Sequence, residues 1–253
     1  MSAGERGGVG AERTGLGAAT GSAVDLTDDD LAAMNERFGR TRDPLAVLRW
    51  GAETFAPGTL IMTTAFGPGG MVLFHLLREA ALRVPVIFVD TLHHFPETLA
   101  LAARVKEAYE LDLRVLRPAV TRAAFETEYG ERLWERDLDR YHEVSRVEPL
   151  RRGLVEVRGW ITARRRDQNE TRADLPWVER AGPRIKLNPI ASWARDDVWT
   201  FLRENRVPYN PLHDQGYASI GDEPLTTPVE EGEHERAGRW RGRGRTECGI
   251  HLI

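Results

Sequence analysis

Thr59-Leu60-Ile61-Met62-Thr63-Thr64-Ala65-Phe66, closed by Gly67-Pro68-Gly69-Gly70, is the stretch whose reading decides the fold. A short apolar run bounded by glycine and proline reads as a buried strand rather than a helix. Residues 71–82 then read as a helix, and 84–89 as a second apolar strand ending at Asp90-Thr91. A helix over 96–111, with alanines for close packing, and a third strand over 113–116 follow. Strand, helix, strand, helix, strand with short joints implies a mostly parallel, doubly wound α/β sheet with helices on both faces. Ligands bind such sheets beyond the carboxyl ends of the strands. The glycine loop and Asp90-Thr91 both lie at such ends, which predicts one shared crevice.

Working outward, residues 159–163 and 185–190 read as two more strands. Residues 196–205 read as a helix with Val198, Phe201 and Leu202 on its apolar side. Upstream, Thr27 or Asp28 caps a helix running to about residue 38, and Pro44 opens another with Leu45, Leu48 and Ala52 on one face. Residues 1–24 are rich in Gly, Ala, Ser and Thr, too poor in apolar side chains to offset ordering entropy, and are expected to be disordered. After Pro228 the chain turns charged through Glu230-Glu231-Gly232-Glu233, which reads as a hinge. The expected division is a disordered segment 1–24, an α/β domain 25–227 and a mobile C-terminal tail 228–253.

The chain has 253 residues, 41% of them apolar, and seven tryptophans, enough to fill a core. Its single cysteine excludes an intrachain disulfide and a Cys₄ metal or iron-sulfur site, and points to a reducing compartment. No apolar run approaches the roughly 18 residues of a membrane span, and the N-terminus lacks a secretory pattern, so a cytoplasmic location is expected. A net charge of -4 argues against bulk attraction to nucleic acid. Arginines nevertheless cluster at 151–152, 164–166 and 236–245 and call for local anionic partners.

Several motifs carry chemistry, each beside a plainer reading. Consecutive backbone N–H groups in the glycine loop could cradle a phosphate, yet the loop lacks the Walker lysine and the full dinucleotide spacing, so a simple strand-to-helix turn fits equally. Ala163-Arg164-Arg165-Arg166-Asp167-Gln168-Asn169-Glu170-Thr171-Arg172 follows a strand, placing planar forks that bind phosphate or sulfate at the sheet's ligand edge; the alternative is a solvated charged loop. His93-His94 has no third metal ligand at a recognisable spacing and reads as structural or substrate-contacting. Trp193, Trp199 and Tyr209 read as scaffold. Cys248, in Thr246-Glu247-Cys248-Gly249-Ile250-His251, follows Arg239, Arg241, Arg243 and Arg245 in a glycine-spaced stretch that builds no core. Positive charge favours the nucleophilic thiolate, although Glu247 opposes it; an incidental terminal cysteine is the alternative.

Taken in order, these segments resemble the thioredoxin-dependent phosphoadenylyl-sulfate and adenylyl-sulfate reductases, with an adenine nucleotide alpha hydrolase-like fold. The resemblance runs from about residue 60 to the end. It rests on Phe66-Gly67, Asp90-Thr91 with Phe95-Pro96-Glu97-Thr98, Val147-Glu148-Pro149-Leu150, Arg165-Arg166-Asp167-Gln168 with Arg172, Gly216-Tyr217 with Ser219-Ile220-Gly221, and Glu247-Cys248-Gly249-Ile250-His251. The family's cluster-bearing branch has cysteine pairs where this chain has Tyr141-His142 and the ends of Asp222-Glu223-Pro224-Leu225. The resemblance therefore implies the cluster-free branch. Thr64-Ala65 stands where the family favours serines, and Leu92 where it often has glycine.

The resemblance implies reduction of 3′-phosphoadenylyl sulfate to sulfite and adenosine 3′,5′-bisphosphate in sulfate assimilation. Cys248 is the implied nucleophile, no cofactor is bound, and thioredoxin or glutaredoxin resolves a cysteine S-sulfonate. Phe66, Gly67, Asp90 and Thr91 are implied nucleotide contacts. Arg165, Arg166 and Arg172 would neutralise the substrate, with Arg146, Arg241 and Arg245 closing over it and His251 steadying the tail. Adenylyl sulfate is the alternative substrate, and the oligomer, including a homodimer, stays open. Two other classes are an ATP-splitting adenylating enzyme, which would not need Cys248, and an arginine-based nucleic-acid binder, which the acidic balance disfavours.

Overall fold

The computed structural model describes residues 25–245, 247, 249 and 250. The segment 1–24, Cys248 and His251 lie outside the described residues. The elements in chain order are α1 (Asp28–Thr41), α2 (Pro44–Thr54), β1 (Leu60–Thr64), α3 (Pro68–Glu79), β2 (Val86–Val89), α4 (Pro96–Ala108) and β3 (Leu113–Leu116). Then come α5 (Arg122–Tyr129), α6 (Leu133–Arg136), α7 (Leu138–His142), a π-helical turn (Glu143–Val147) and α8 (Glu148–Gly153). β4 (Gly159–Ile161), β5 (Val178–Ala181), β6 (Arg184–Leu187) and α9 (Arg195–Glu204) complete the frame, with short 3₁₀ turns between them.

The sheet runs β3-β2-β1-β4-β6-β5, parallel throughout except for the β5–β6 hairpin. Because the chain winds outward from β1 to β3 and returns on the other side of β1, the order reverses between β1 and β4. A reversal of this kind opens a crevice at the carboxyl ends of the strands. Alternate residues face opposite cores, as period-2 geometry requires. Leu60, Met62, Val86, Phe88 and Ile161 pack with α1 to α4 and α9 in the larger core. Ile61, Ile87, Val89 and Trp160 pack against Leu150 of α8 and against Leu154 and Val157 beyond its end on the other face. A third cluster, Phe125, Leu133, Tyr141, Val144, Leu225 and Trp240, joins α5 to α7 to the chain beyond residue 220.

Local chemistry explains the boundaries. Thr27 caps α1 reciprocally with Asp30, and Asp43 caps α2 ahead of Pro44. α3 starts at Pro68, three residues before the expected start at Met71, because proline suits the first helical position, where its missing N–H costs nothing. The expected strand over 185–190 ends at Leu187, and β5 was not anticipated. The π-helical turn precedes Pro149, which cannot donate to the carbonyl four residues back; the backbone widens by one residue there.

The described part of the expected tail is packed onto the body. Trp240 is 2% exposed, Thr226 bridges Arg239, and Thr227 N–H donates to Gly238 O at 2.9 Å. A Cβ on Gly238 would lie 2.0 Å from the Thr227 carbonyl oxygen, so only glycine allows this approach.

Candidate active site

A cleft of about 240 Å³ opens at the reversal point, over the carboxyl ends of β1, β2 and β4. Its floor is the start of α3, from Gly67 to Gly70, with Ile87 and Val89 of β2 beside it. The loop after β4 supplies Arg164, Arg165, Gln168 and Arg172 along one wall, and Arg195 opens α9 nearby. The π-helical turn brings in Arg146, and the C-terminal segment adds Arg236 and Arg239. Seven arginines thus line the cleft against two lining carboxylates, Glu235 and Glu247, a surplus that suits a multiply charged anion.

Six of these guanidinium groups are held by partners. Arg146 donates to Asp222 at 2.6 Å, and the same carboxylate accepts from the Thr91 hydroxyl at 2.6 Å. Burial works to raise the Asp222 carboxyl, but Arg146, then His94 and the Thr91 hydroxyl, hold it well below the usual carboxylate range. His94 donates from Nε2 to the Val89 carbonyl at 3.0 Å, turning Nδ1 toward Asp222 at 3.9 Å. Arg165 donates to Asp167 at 2.8 Å and to Glu235 at 3.0 Å. Arg164 pairs with Glu179; burial first, and the Arg172 charge second, push its guanidinium down to about 10. Arg239 lies across Gly221, where a Cβ would fall 2.2 Å from its guanidinium, and donates to the Ile220 carbonyl at 3.2 Å. A side chain in place of Gly221 in the Ser219-Ile220-Gly221 motif would therefore displace the Arg239 guanidinium.

Glu247 reaches into this arginine group. Its carboxylate accepts from Arg172 at 2.6 Å and from Asn169 at 2.8 Å, with Arg236 at 3.6 Å. Behind the cleft, Trp240 donates its indole N–H to Nε2 of His142 at 3.2 Å. Burial, with Arg146 nearby, pushes His142 down to about 3, so the ring is neutral and able to accept.

Of the residues singled out from sequence, Gly67, Arg146, Arg165 and Arg172 line the cleft together. The others described do not. Phe66 is buried with its ring edge-on to Phe88, at a φ of 55°. Asp90 accepts from Arg117 at 2.9 Å, and Thr91 acts through Asp222. Arg166 turns away because its guanidinium stacks on Trp177 at 4.1 Å while Nε donates to the Leu175 carbonyl. Arg241 pairs with half-buried Glu233 at 2.7 Å, and Arg245 with Asp139 and the Glu247 carbonyl. Arg195, Glu235, Arg236, Arg239 and Trp199, read only as cluster members, scaffold or not at all, do line the cleft. A signal existed for Arg195: a helix following a parallel strand begins at the ligand-binding edge. None existed for Asp222, whose partner Arg146 lies 76 residues away.

No group of three or more His, Cys, Asp or Glu that could hold a metal ion occurs among the described residues, and none of their helices is long and apolar enough to cross a membrane.

Comparison with known proteins places these features. Residues 59–228 match the phosphoadenosine phosphosulfate reductase domain family. The chain is 44% identical over 213 residues to a probable phosphoadenosine phosphosulfate reductase of Schizosaccharomyces pombe, covering 82% of this chain and 79% of that one. It is 42% identical over 231 residues to an adenosine 5′-phosphosulfate reductase of Streptomyces coelicolor, covering 89% and 96%. A crystal structure of phosphoadenylyl-sulfate reductase from Candida auris, a phosphate complex, superposes with a TM-score of 0.73 at 35% identity, covering 82% of this chain and all of that one (100%). An FMN adenylyltransferase of Candida glabrata, at 17% identity and a TM-score of 0.53, shares the fold alone.

Proposed function

The chain belongs to the phosphoadenosine phosphosulfate reductase family, and from that premise we propose that it reduces 3′-phosphoadenylyl sulfate to sulfite, with Cys248 as nucleophile. The observation that carries this reading is Glu247, the residue before Cys248, paired with Arg172 inside the arginine-lined cleft. A nucleotide entering at the reversal point would set its phosphates on the amino-terminal turn of α3 and among Arg165, Arg172, Arg236 and Arg239. The Cys248 thiolate then attacks the sulfate sulfur. The bond from sulfur to the bridging phosphate oxygen breaks, and adenosine 3′,5′-bisphosphate leaves with the electron pair. The product on the protein is a cysteine S-sulfonate. This chain has no second cysteine, so an external dithiol, proposed to be thioredoxin with glutaredoxin as the alternative, attacks Sγ and expels sulfite. The dithiol's second thiol frees Cys248, and the two electrons come from its oxidation to a disulfide. Such traffic suits a reducing cytoplasm.

The residues present do not fit an iron-sulfur cluster. At the positions matching the cysteines of the cluster-bearing branch, Tyr141 and Leu225 pack with Trp240, His142 accepts from that indole, and Asp222 is paired with Arg146. A ring stack and an ion pair fill the space, which supports chemistry without a cluster. Adenylyl sulfate remains the second reading, favoured by the Streptomyces coelicolor relative over 96% of its length.

The test is incubation of the reduced chain with either sulfonucleotide and no dithiol. One SO₃ group is expected on the peptide bearing Cys248, released as sulfite by thioredoxin, with the larger kcat/KM for the 3′-phosphorylated substrate. Turnover by Cys248→Ser at the normal rate would overturn the mechanism, and comparable kcat/KM values would overturn the substrate preference.

A further inference from the structure

The arginines that await an anion already hold one. Glu247 presents a planar pair of oxygens to donors on two separate stretches of chain. Arg172 and Asn169 come from the loop after β4, and Arg236 from the C-terminal segment. Two oxygens of a phosphate or sulfate would make the same use of these donors. Arg165, by contrast, keeps Asp167 of its own loop whether or not Glu235 is present. Glu247 is also only partly buried, its side chain 29% exposed beside the 9% of Arg172, so water can take it up when it leaves.

We propose that Glu247 is a placeholder for the anionic group of the substrate. It keeps Arg172 and Arg236 neutralised and oriented before substrate binds, and the incoming phosphosulfate displaces it. Binding then exchanges one counter-ion for another and necessarily shifts the residue bonded to Cys248. Glu247 is in this sense a positioning residue, acting through the arginines it occupies. The inference rests on the functional reading above in taking the cleft as the sulfonucleotide site. Its thermodynamic signature is a reduced apparent affinity, since only chains with Glu247 displaced can take ligand.

The experiment is calorimetric titration of the full chain, Glu247→Gln and Glu247→Ala with adenosine 3′,5′-bisphosphate and, separately, with inorganic sulfate. Thermal midpoints establish that each variant is folded. Removing the charge should tighten both ligands roughly 3- to 10-fold and lower KM in the same direction. A merely structural Glu247 would do the opposite, loosening the cleft and weakening both. Unchanged or weaker binding in folded variants overturns the proposal. If the unaltered chain releases no sulfite from either sulfonucleotide, the functional reading fails, while the sulfate titrations still decide whether Glu247 competes for the arginines.

Discussion

Two cleft arginines, Arg146 and Arg172, each hold a carboxylate at the same distance, 2.6 Å, and the two pairs are different kinds of object. Arg146–Asp222 is sealed: the Asp222 side chain is 1% exposed, bonded to Thr91 and approached by His94. Arg172–Glu247 is open on the carboxylate side, and its acid comes from the far end of the chain. A contact distance cannot tell frame from occupant. Burial and the number of further partners can, because a buried charge stripped of its partner cannot be rescued by water.

The sharpest way to break this contrast is to remove each acid in turn. Asp222→Ala should cost about 3–5 kcal/mol in urea unfolding, the scale of breaking a buried ion pair by removing one member. Glu247→Ala should cost less than about 1 kcal/mol. Equal losses would make both pairs framework. Substituting arginines probes the cleft itself. Arg172→Gln should lower kcat/KM for the sulfonucleotide about 100-fold, the scale of a lost charged hydrogen bond, with little change in thermal midpoint. Arg166→Gln, whose side chain lies on Trp177, should change kcat/KM less than about 3-fold. A comparable loss in both would show that Arg166 reaches the substrate.

The smallest effect concerns protons. His142 and His213 are held neutral by burial, pushed down to about 3 and about 4. Below the ordinary histidine value of 6.5, the unfolded chain binds protons that the folded chain refuses. Stability from this source is complete above that pH and declines as the pH falls toward 4 and then 3. The loss should be about 1 kcal/mol per histidine over the unit of pH below 6, read as a falling thermal midpoint. A flat profile would mean that the seat of Trp240 on His142 is open to water, and the sealed side of the comparison would lose its boundary.

Much of the frame was legible because strands and helices there obey local rules. The strand over 113–116, the cap at Thr27 and the helix start at Pro44 follow from propensity and spacing alone. β5 escaped because Val178-Glu179-Arg180-Ala181 alternates too weakly to stand out; its strand character comes from the pairing of Glu179 opposite Lys186 across the Gly182-Pro183 turn. The helices between 122 and 153 gave no reading either. They are short, and the apolar residues of α5 to α7 turn toward Leu225 and Trp240, which lie far along the chain. At the site, motif order identified Gly67, Arg165 and Arg172. It could not separate Arg165 from Arg166, neighbours in sequence that tertiary packing sends to opposite destinations, one into the cleft and one onto an indole.

The seating of Trp240 sets a length. With Gly238 pressed against Thr227 and the indole buried, the backbone is anchored at residue 240, eight residues before Cys248. A fully extended chain covers at most about 3.6 Å per residue, so the Cα of Cys248 is on a leash of about 29 Å, with its thiol one side-chain length beyond, while the anchor holds. Any protein that exchanges thiols with this cysteine must dock its own sulfur within that reach of Trp240. The patch of surface available to such a partner is bounded by covalent geometry before any question of affinity arises.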